Sequence, residues 1–352
     1  MNSKFDLLTV RESLENIFSY LRKTARKNLS LVIVCLIQSE SCQTPHIIRK
    51  MCQILGTKYE TNQMKLLRFF DSTEFMVDDK LWRCYIKMIF QLLIERNYLK
   101  NGSQIAINVD FTTITDRFLI LSASIPFFGR GIPLYFSMRN YPQKKRQINQ
   151  ALMERAFLRE LWRLLPHENY TYVIVADRGF GHVRWMKDCL KFGFDYIVRT
   201  KENKYFQKVD EKGSKQKIKE VESATGGFPR IQLQSEEFET RLVISELDES
   251  KERWSIFTSL ENRSYTEIVK LYGKRFTIEK MFQDQKSSGF QVEKLKISGY
   301  GSFKRALFCI YVAQGILMFV GDWLKKEAVE IQKKYVLHVE MISAFSKLVE
   351  EQ

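Results

Sequence analysis

The sequence contains little that would build a metal-binding module or a disulfide-stabilised fold. Its six cysteines, at positions 35, 42, 52, 84, 189 and 309, include no CxxC pair. The four histidines are scattered and have no cysteines at zinc-binding spacing. These absences argue against a zinc module and a disulfide scaffold, and they predict reduced, mostly buried thiols in a cytosolic protein.

Long apolar runs and nucleotide-binding loops are also lacking. The longest apolar run, residues 307–320, is interrupted by Gln314 and is shorter than the roughly 18 residues that span a bilayer. The opening residues, MNSKFDLLTVRESLENIF, are charged and helical in pattern, unlike a signal peptide. No GxxxxGK[ST] loop is present. We therefore expect a cytoplasmic protein with a buried core helix and no membrane partner.

What the sequence does contain is positive charge and ample apolar content. Lys and Arg number 56 against 41 Asp and Glu, which gives a net charge of +15, and 45% of the residues are hydrophobic. This composition predicts a globular protein with a packed core and a polyanionic partner, such as nucleic acid or an acidic membrane surface.

The first hundred residues have a helical pattern. Apolar residues recur at three- and four-residue spacing in the segments SLENIFSYLRKTARK, LSLVIVCLIQ, HIIRKMCQIL, TNQMKLLRFFD and DDKLWRCYIKMIFQLLIER. Many lysines and arginines accompany them, so residues 1–100 are predicted to form a helical DNA-binding domain that contacts phosphates. A plain bundle with solvated basic faces explains the same residues almost as well.

From residue 104 the pattern changes to strands and then alternates. QIAINVDFT, RFLILSASIPF and GIPLYFSMRN predict three strands, followed by a helix over 147–165, the strand TYVIVA, the helix GHVRWMKDCLKFG and the strand FDYIVRT. Residues 202–253 hold two further period-2 runs, RIQLQS and TRLVISEL, and predict an inserted β subdomain. RWSIFTSL and a long helix over 303–326 complete a mixed sheet covered by helices.

Three acidic residues are predicted to meet at this sheet. Asp110 and Asp177 end buried strands, and Glu279 lies on a helix expected to pack against the sheet. Three carboxylates in a small volume repel one another unless a hard cation such as Mg²⁺ neutralises them. Two such ions can hold the attacking and leaving oxygens of a phosphoryl transfer. Asp116 and Asp195 are not included, since one lies in a turn and the other begins a strand.

The segment YGKRFTIEKMFQDQK places four functional side chains at offsets 0, 3, 7 and 14. On one continuous helix, Tyr272, Arg275, Glu279 and Lys286 would share an arc of about 60 degrees. An ordinary solvated helix face has similar spacing.

These residues resemble the DDE transposases of bacterial insertion sequences. The four positions match the Y-x2-R-x3-E-x6-K signature of the insertion-sequence-four group without a gap, and INVDFTT and VADRGFG resemble its two aspartate blocks. The resemblance implies a ribonuclease-H-like core of residues 101–201 and 254–325, interrupted by the β subdomain and followed by a C-terminal helical segment, 326–352.

The resemblance also implies cut-and-paste transposition: end nicking, a hairpin intermediate and strand transfer. Asp110, Asp177 and Glu279 would be catalytic and would bind two Mg²⁺ ions, with Mn²⁺ as a substitute. The partners would be double-stranded DNA, as terminal inverted repeats and target, and a second copy of the chain in a synaptic homodimer. The protein would act at the bacterial nucleoid.

Five further residues are expected to bind DNA. The resemblance assigns the terminal phosphates to Tyr272, Arg275 and Lys286. It also assigns a flipped base to Trp254, in the run RWSIFTS, which resembles W-x3-T-S; core packing is the alternative for that ring. Arg178 could bind phosphate or pair with a nearby acid.

Two other functions remain open at this point. One is a domesticated or inactive DNA-binding derivative, and the other is a magnesium-dependent nuclease of the same fold.

Overall fold

The computed structural model describes residues 7–72, 75–141, 150–209, 215–221, 226–233, 238–246 and 253–322. The C-terminal segment 326–352 lies outside these ranges. All six cysteines are free; four are buried and two are partly buried, as predicted.

The described part of the first hundred residues forms five helices: α1 (Leu7–Ile17), α2 (Lys23–Ser39), α3 (Thr44–Leu55), α4 (Tyr59–Asp71) and α5 (Asp79–Glu95). The prediction of one helix through residues 13–27 was wrong, because α1 ends at Ile17 and Arg22 is extended with ψ 142°. Phe18 follows α1 and is completely buried, so the chain turns there to insert the ring into the core. Pro45 lies in the first turn of α3, where no backbone N–H is needed for the helix.

The central part of the sheet contains five strands. β1 (Gln104–Ile114), β2 (Phe118–Phe127) and β3 (Arg130–Asn140) form an antiparallel meander. After α6 (Gln150–Leu164), β4 (Thr171–Ala176) pairs parallel to β1, and after α7 (Val183–Lys191), β5 (Asp195–Arg199) pairs parallel to β4. The order β3-β2-β1-β4-β5, flanked by helices, confirms the ribonuclease-H-like mixed sheet.

Five further strands continue the same sheet to a total of ten. They are β6 (Tyr205–Lys208), β7 (Gln216–Lys217), β8 (Gly226–Leu233), β9 (Phe238–Glu246) and β10 (Arg253–Thr258). β10 joins the two parts because it pairs with both β5 and β9. The strands of the predicted insertion therefore extend the main sheet edge to edge.

The signature segment is two helices. α8 (Tyr265–Gly273) ends before α9 (Phe276–Gln283), and a π-helical turn, Asp284–Ser288, follows α9. The prediction of one continuous helix was wrong. The buried side-chain amide of Asn108 on β1 donates to the carbonyl oxygens of Lys274 (2.9 Å) and Arg275 (3.4 Å), which interrupts the helical hydrogen-bond ladder at this point.

A final helix, α10 (Tyr300–Asp322), lies in the core. Its length and composition would suffice to cross a membrane, but 72% of its apolar stretch is buried inside the protein, in agreement with the predicted core helix. Phe308 of α10 packs against Trp82 of α5 at 4.9 Å, and Trp82 also packs against Phe136 of β3 at 5.2 Å. The N-terminal helices, α10 and the sheet thus share one core, the largest hydrophobic cluster of the described residues.

Candidate active site

The pairing of β1 with β4 brings two aspartates together. Val109 is opposite Ala176 in the parallel register, so the next residues on each strand, Asp110 and Asp177, lie side by side where β4 ends. Asp177 caps the short turn Arg178–Phe180 by accepting the backbone N–H of Arg178 at 2.5 Å. The side chain of Asp110 is 22% exposed and accepts the backbone N–H of Phe111 at 2.8 Å.

The guanidinium of Arg275 connects Asp110 to the third acid. Its Nη1 lies 3.4 Å from Oδ2 of Asp110, and its Nη2 donates to Oε1 of Glu279 at 2.6 Å. The Arg275 side chain is only 6% exposed, whereas that of Glu279 is 51% exposed. The structure therefore places a buried cation between Asp110 and Glu279, with Asp177 beside Asp110.

Electrostatics at this site disfavour the charged form of Asp110. Burial raises the pKa of Asp110 to about 6, and the neighbouring charges of Asp177 and Glu279 also raise it. The N–H of Phe111 and the guanidinium of Arg275 lower it only in part. A carboxylate that is costly to ionise in the free protein is suited to binding a cation.

The donor chemistry of these acids fits a divalent metal. Two aspartates and a glutamate supply hard oxygen ligands, which Mg²⁺ and Mn²⁺ prefer. In the described ranges, however, no three His, Cys, Asp or Glu side chains are close enough to share an ion. Glu279 contacts Arg275, so it would have to exchange that partner to become a ligand.

Tyr272 and Trp254 are in the core behind the acids. Tyr272 is completely buried, and burial raises the pKa of its phenol to about 12. Trp254 is 3% exposed and packs edge to face on Tyr272, with ring centroids 4.8 Å apart. The expectation that Trp254 offers a face to a flipped base does not fit this position, because the ring is buried between its own strand, β10, and Tyr272 of α8.

Lys286 is partly buried and Arg178 is exposed. Lys286, in the π-helical turn, is 3.9 Å from Oε1 of Glu293, and the other carboxylate oxygen of Glu293 accepts the backbone N–H of Thr115. Lys286 therefore lies near the β1–β2 turn. Arg178 is exposed in the turn that follows Asp177.

Two neighbours of the acids were not predicted. Phe276 is 39% exposed, has its ring 4.7 Å from the Arg275 guanidinium, and begins the helix that carries Glu279. The side-chain amide of Asn108 donates a hydrogen bond to the carbonyl oxygen of Lys274, at the point where α8 ends. Of these two residues, only Phe276 could have been expected at the site from the sequence, because it lies between Arg275 and Glu279.

A family model matches the middle of the chain. Residues 144–314, just under half of the chain, match the family model described as the transposase DDE domain. The matched range contains Asp177 and the whole signature but not Asp110. This match supports a DNA transposase, an enzyme that cleaves DNA by phosphoryl transfer. DDE transposases generally use divalent metal ions.

The remaining comparisons add little to this class. No curated protein matches the sequence. A cryo-EM structure of the piggyBac transposase synaptic complex with hairpin DNA is similar at a TM-score of 0.46 and 10% identity, over 93% of this chain and 74% of that one.

Proposed function

We propose that the protein is a cut-and-paste transposase of the insertion-sequence-four group. The observation that carries the proposal is the contact of Arg275 with both Asp110 and Glu279, with Asp177 beside Asp110 and the signature spacing intact. The reaction would nick the ends of an element, pass through a hairpin and join the 3′ end to target DNA.

Two Mg²⁺ ions, or Mn²⁺ in their place, are proposed to bind at the three acids. When bound, the metal supplies positive charge for the transferred phosphoryl group and activates water as the nucleophile. The contribution of the chain is to hold Asp110 and Asp177 on neighbouring strands and Glu279 on α9.

Arg275 is proposed to bind the two acids in the free protein and a DNA phosphate in the complex. In the free protein its guanidinium neutralises Asp110 and Glu279. Once a metal provides that charge, its planar fork is available for a terminal phosphate. Arg178, which is exposed beside Asp177, and Lys286 are proposed to bind flanking phosphates.

Tyr272 and Phe276 are proposed to act beside this phosphate site. Tyr272, buried against Arg275 with its ring 5.9 Å away, would support the guanidinium from behind. Stacking of an unpaired base is assigned to the exposed ring of Phe276, with Trp254 supporting it at a centroid distance of 5.9 Å.

A basic cleft between α1, α2 and α4 supports the prediction that residues 1–100 bind DNA. The cleft measures about 710 Å³, and none of the described residues that line it is acidic. It carries five cations: Arg11, Lys23, Lys27, Lys65 and Arg68. Burial, followed by repulsion from Arg11, lowers the pKa of Lys65. Crowded cations of this kind favour the phosphates of a duplex.

Salt dependence of binding tests the cleft. Replacing four of its cations with Gln should flatten the slope of log Kobs against log[salt] for duplex DNA by about 3 to 4, because each lost phosphate contact contributes about 0.9. The four are Lys23, Lys27, Lys65 and Arg68, none of which forms an ion pair with another described residue. A matched control replaces exposed lysines outside the cleft: Lys100, Lys191, Lys215 and Lys270. Equal slopes for the two variants would contradict the assignment.

The remaining parts of the proposal concern partners and place. The substrates are the terminal inverted repeats of the element and target DNA, and a homodimer would pair the two ends. The protein would work in the bacterial cytoplasm at the nucleoid.

The product of the reaction distinguishes transposase from nuclease. A duplex that carries the terminal repeat, labelled at one end and incubated with protein and MgCl₂, should give a nick and then a hairpin of twice the strand length on a denaturing gel. Nicks without hairpin or joined product would favour the nuclease of the same fold. Specific binding without any cleavage would favour a DNA-binding derivative.

A further inference from the structure

The residues that follow the two catalytic aspartates are packed against each other. Phe111 comes directly after Asp110, and Phe180 comes three residues after Asp177. Their rings are stacked, with centroids 5.3 Å apart and planes inclined by only 3°. Phe180 is 2% exposed and Phe111 is partly buried. A direct ring contact therefore joins the two chain segments that carry the acids.

Other contacts also hold the ring and backbone of Phe180 in place. The ring of Trp185 on α7, 1% exposed, lies 4.7 Å from it. The backbone N–H of Phe180 donates to the carbonyl oxygen of Asp177 at 2.9 Å, so the turn that carries the ring begins at the aspartate itself. Movement of the Phe180 ring would consequently displace Asp177.

The far end of this turn is anchored at two points. Cβ of an alanine at position 181 would lie 2.5 Å from the carbonyl oxygen of Arg199, so only glycine allows the turn to approach β5 this closely. His182 accepts the N–H of Trp185 on Nδ1 at 3.1 Å, which leaves Nε2–H to donate to the buried carboxylate of Glu154 at 3.2 Å. The contacts of Gly181 and His182 therefore hold the C-terminal end of the turn in place.

We propose that the Phe111–Phe180 stack is a positioning device that sets the separation of the Asp110 and Asp177 carboxylates, so that both bind the same divalent cation. The inference rests on the proposed function, because it assumes a metal at these acids. Phe111 and Phe180 are positioning residues and do not contact the reacting atoms. The stack acts through the backbone, since Asp110 and Phe111 are adjacent and Asp177 begins the turn that ends in Phe180.

Substitution at Phe111 tests the stack, because this ring is only partly buried and its loss disturbs the core less than loss of Phe180. Phe111→Leu removes the flat ring but keeps an apolar side chain, and Phe111→Tyr keeps the ring. The matched control is Phe228→Leu, which alters a partly buried ring packed 5.3 Å from Phe206 in the added strands. Asp177→Asn reports the loss of a ligand.

The first readout is Mn²⁺ affinity, measured on the full chain by electron paramagnetic resonance of the free ion. We expect Phe111→Leu to bind Mn²⁺ about 10-fold more weakly, the lower end for residues that orient metal ligands. Phe111→Tyr and Phe228→Leu should bind as the wild type does. Wild-type affinity in Phe111→Leu, or equal weakening in Phe228→Leu, would overturn the proposal.

The second readout separates positioning from a general loss of stability. Single-turnover nicking by Phe111→Leu should be slow at low Mn²⁺ and should recover at saturating Mn²⁺, with unchanged DNA affinity. A rate deficit that saturating metal does not reduce would overturn the positioning role. If the wild type nicks DNA and only the Phe111 result fails, the proposed function stands. If the wild type binds Mn²⁺ no better than Asp177→Asn and does not nick, the proposed function fails and the positioning inference fails with it.

Discussion

Removal of the charge on Asp110 should stabilise the metal-free protein. The folded state raises the pKa of this carboxyl from 3.8 to about 6. A raised acid pKa means that ionisation costs more in the folded than in the unfolded chain, so stability decreases as the pH rises from about 4 to 6 and stays lower above that. At about 1.4 kcal/mol for each pKa unit, the cost at pH 7.5 is about 3 kcal/mol.

Asp110→Asn keeps the shape of the side chain and removes this cost. In EDTA at pH 7.5 its midpoint of urea unfolding should exceed that of the wild type by the equivalent of up to about 3 kcal/mol, and the difference should vanish near pH 4. Asp116→Asn is the matched control, because Asp116 is exposed in the β1–β2 turn and asparagine tolerates its φ of 50°.

Magnesium should reverse the order of stability. MgCl₂ should raise the midpoint of the wild type and of Asp116→Asn by mass action, while Asp110→Asn should gain much less. An Asp110→Asn protein that is no more stable than the wild type in EDTA at pH 7.5 would refute the account of Asp110 as a buried carboxylate whose charge is only partly compensated.

Four other substitutions test the packing around the site and in the core. Arg275→Gln should destabilise the metal-free protein by roughly 3 kcal/mol at pH 7.5, the lower end for removing one partner of a buried ion pair, and Mg²⁺ should recover part of the loss in a thermal melt. Trp254→Ala deletes a core side chain and should lower the free energy of unfolding in urea by about 3 to 5 kcal/mol. Phe276→Ala should lower it by about 1 kcal/mol or less, and should reduce the yield of hairpin on a gel. The reverse pattern would return the base-stacking role to Trp254. Gly315→Ala should cost about 1 to 3 kcal/mol, because its Cβ would lie 2.4 Å from the Tyr85 hydroxyl; unchanged unfolding would contradict that packing.

The positions of the two aspartates could be predicted from the sequence because strand patterning is local. The apolar run before Asp177 correctly predicts the end of β4, whereas the prediction that Asp110 ends its strand was wrong, because β1 continues to Ile114. The structure pairs β1 with β4 in parallel and places Val109 opposite Ala176. Parallel pairing alone then places the acids side by side.

The features that could not be predicted depend on contacts between distant parts of the chain. The break between α8 and α9 results from Asn108, whose amide reaches Lys274 across 166 residues of sequence. Helical periodicity continues through the break, so the pattern of Tyr272, Arg275 and Glu279 predicted one helix. Burial of Trp254 depends in the same way on the packing of α8 against β10, which a strand pattern does not reveal.

The role of Arg275 in the free protein could not be predicted for a related reason. Its spacing from Glu279 allows an ordinary i,i+4 ion pair. Only the position of α9 on the sheet brings its other nitrogen to Asp110. The spacing of the signature is therefore consistent with the contact of Arg275 with Glu279, but it did not predict that a cation would lie between two of the acids or that Lys286 would pair with Glu293.

The central claim is that Asp110, Asp177 and Glu279 form one metal-dependent site that cleaves DNA. The most direct test is Mg²⁺-dependent nicking of a terminal-repeat duplex by the wild type, Asp110→Asn, Asp177→Asn, Glu279→Gln and the control Asp116→Asn, with DNA binding measured in parallel. We predict that all five bind DNA, that the wild type and Asp116→Asn nick it, and that each of the other three loses nicking. Nicking that persists in any one of those three would contradict the claim for that residue, and binding without nicking by the wild type would contradict it altogether.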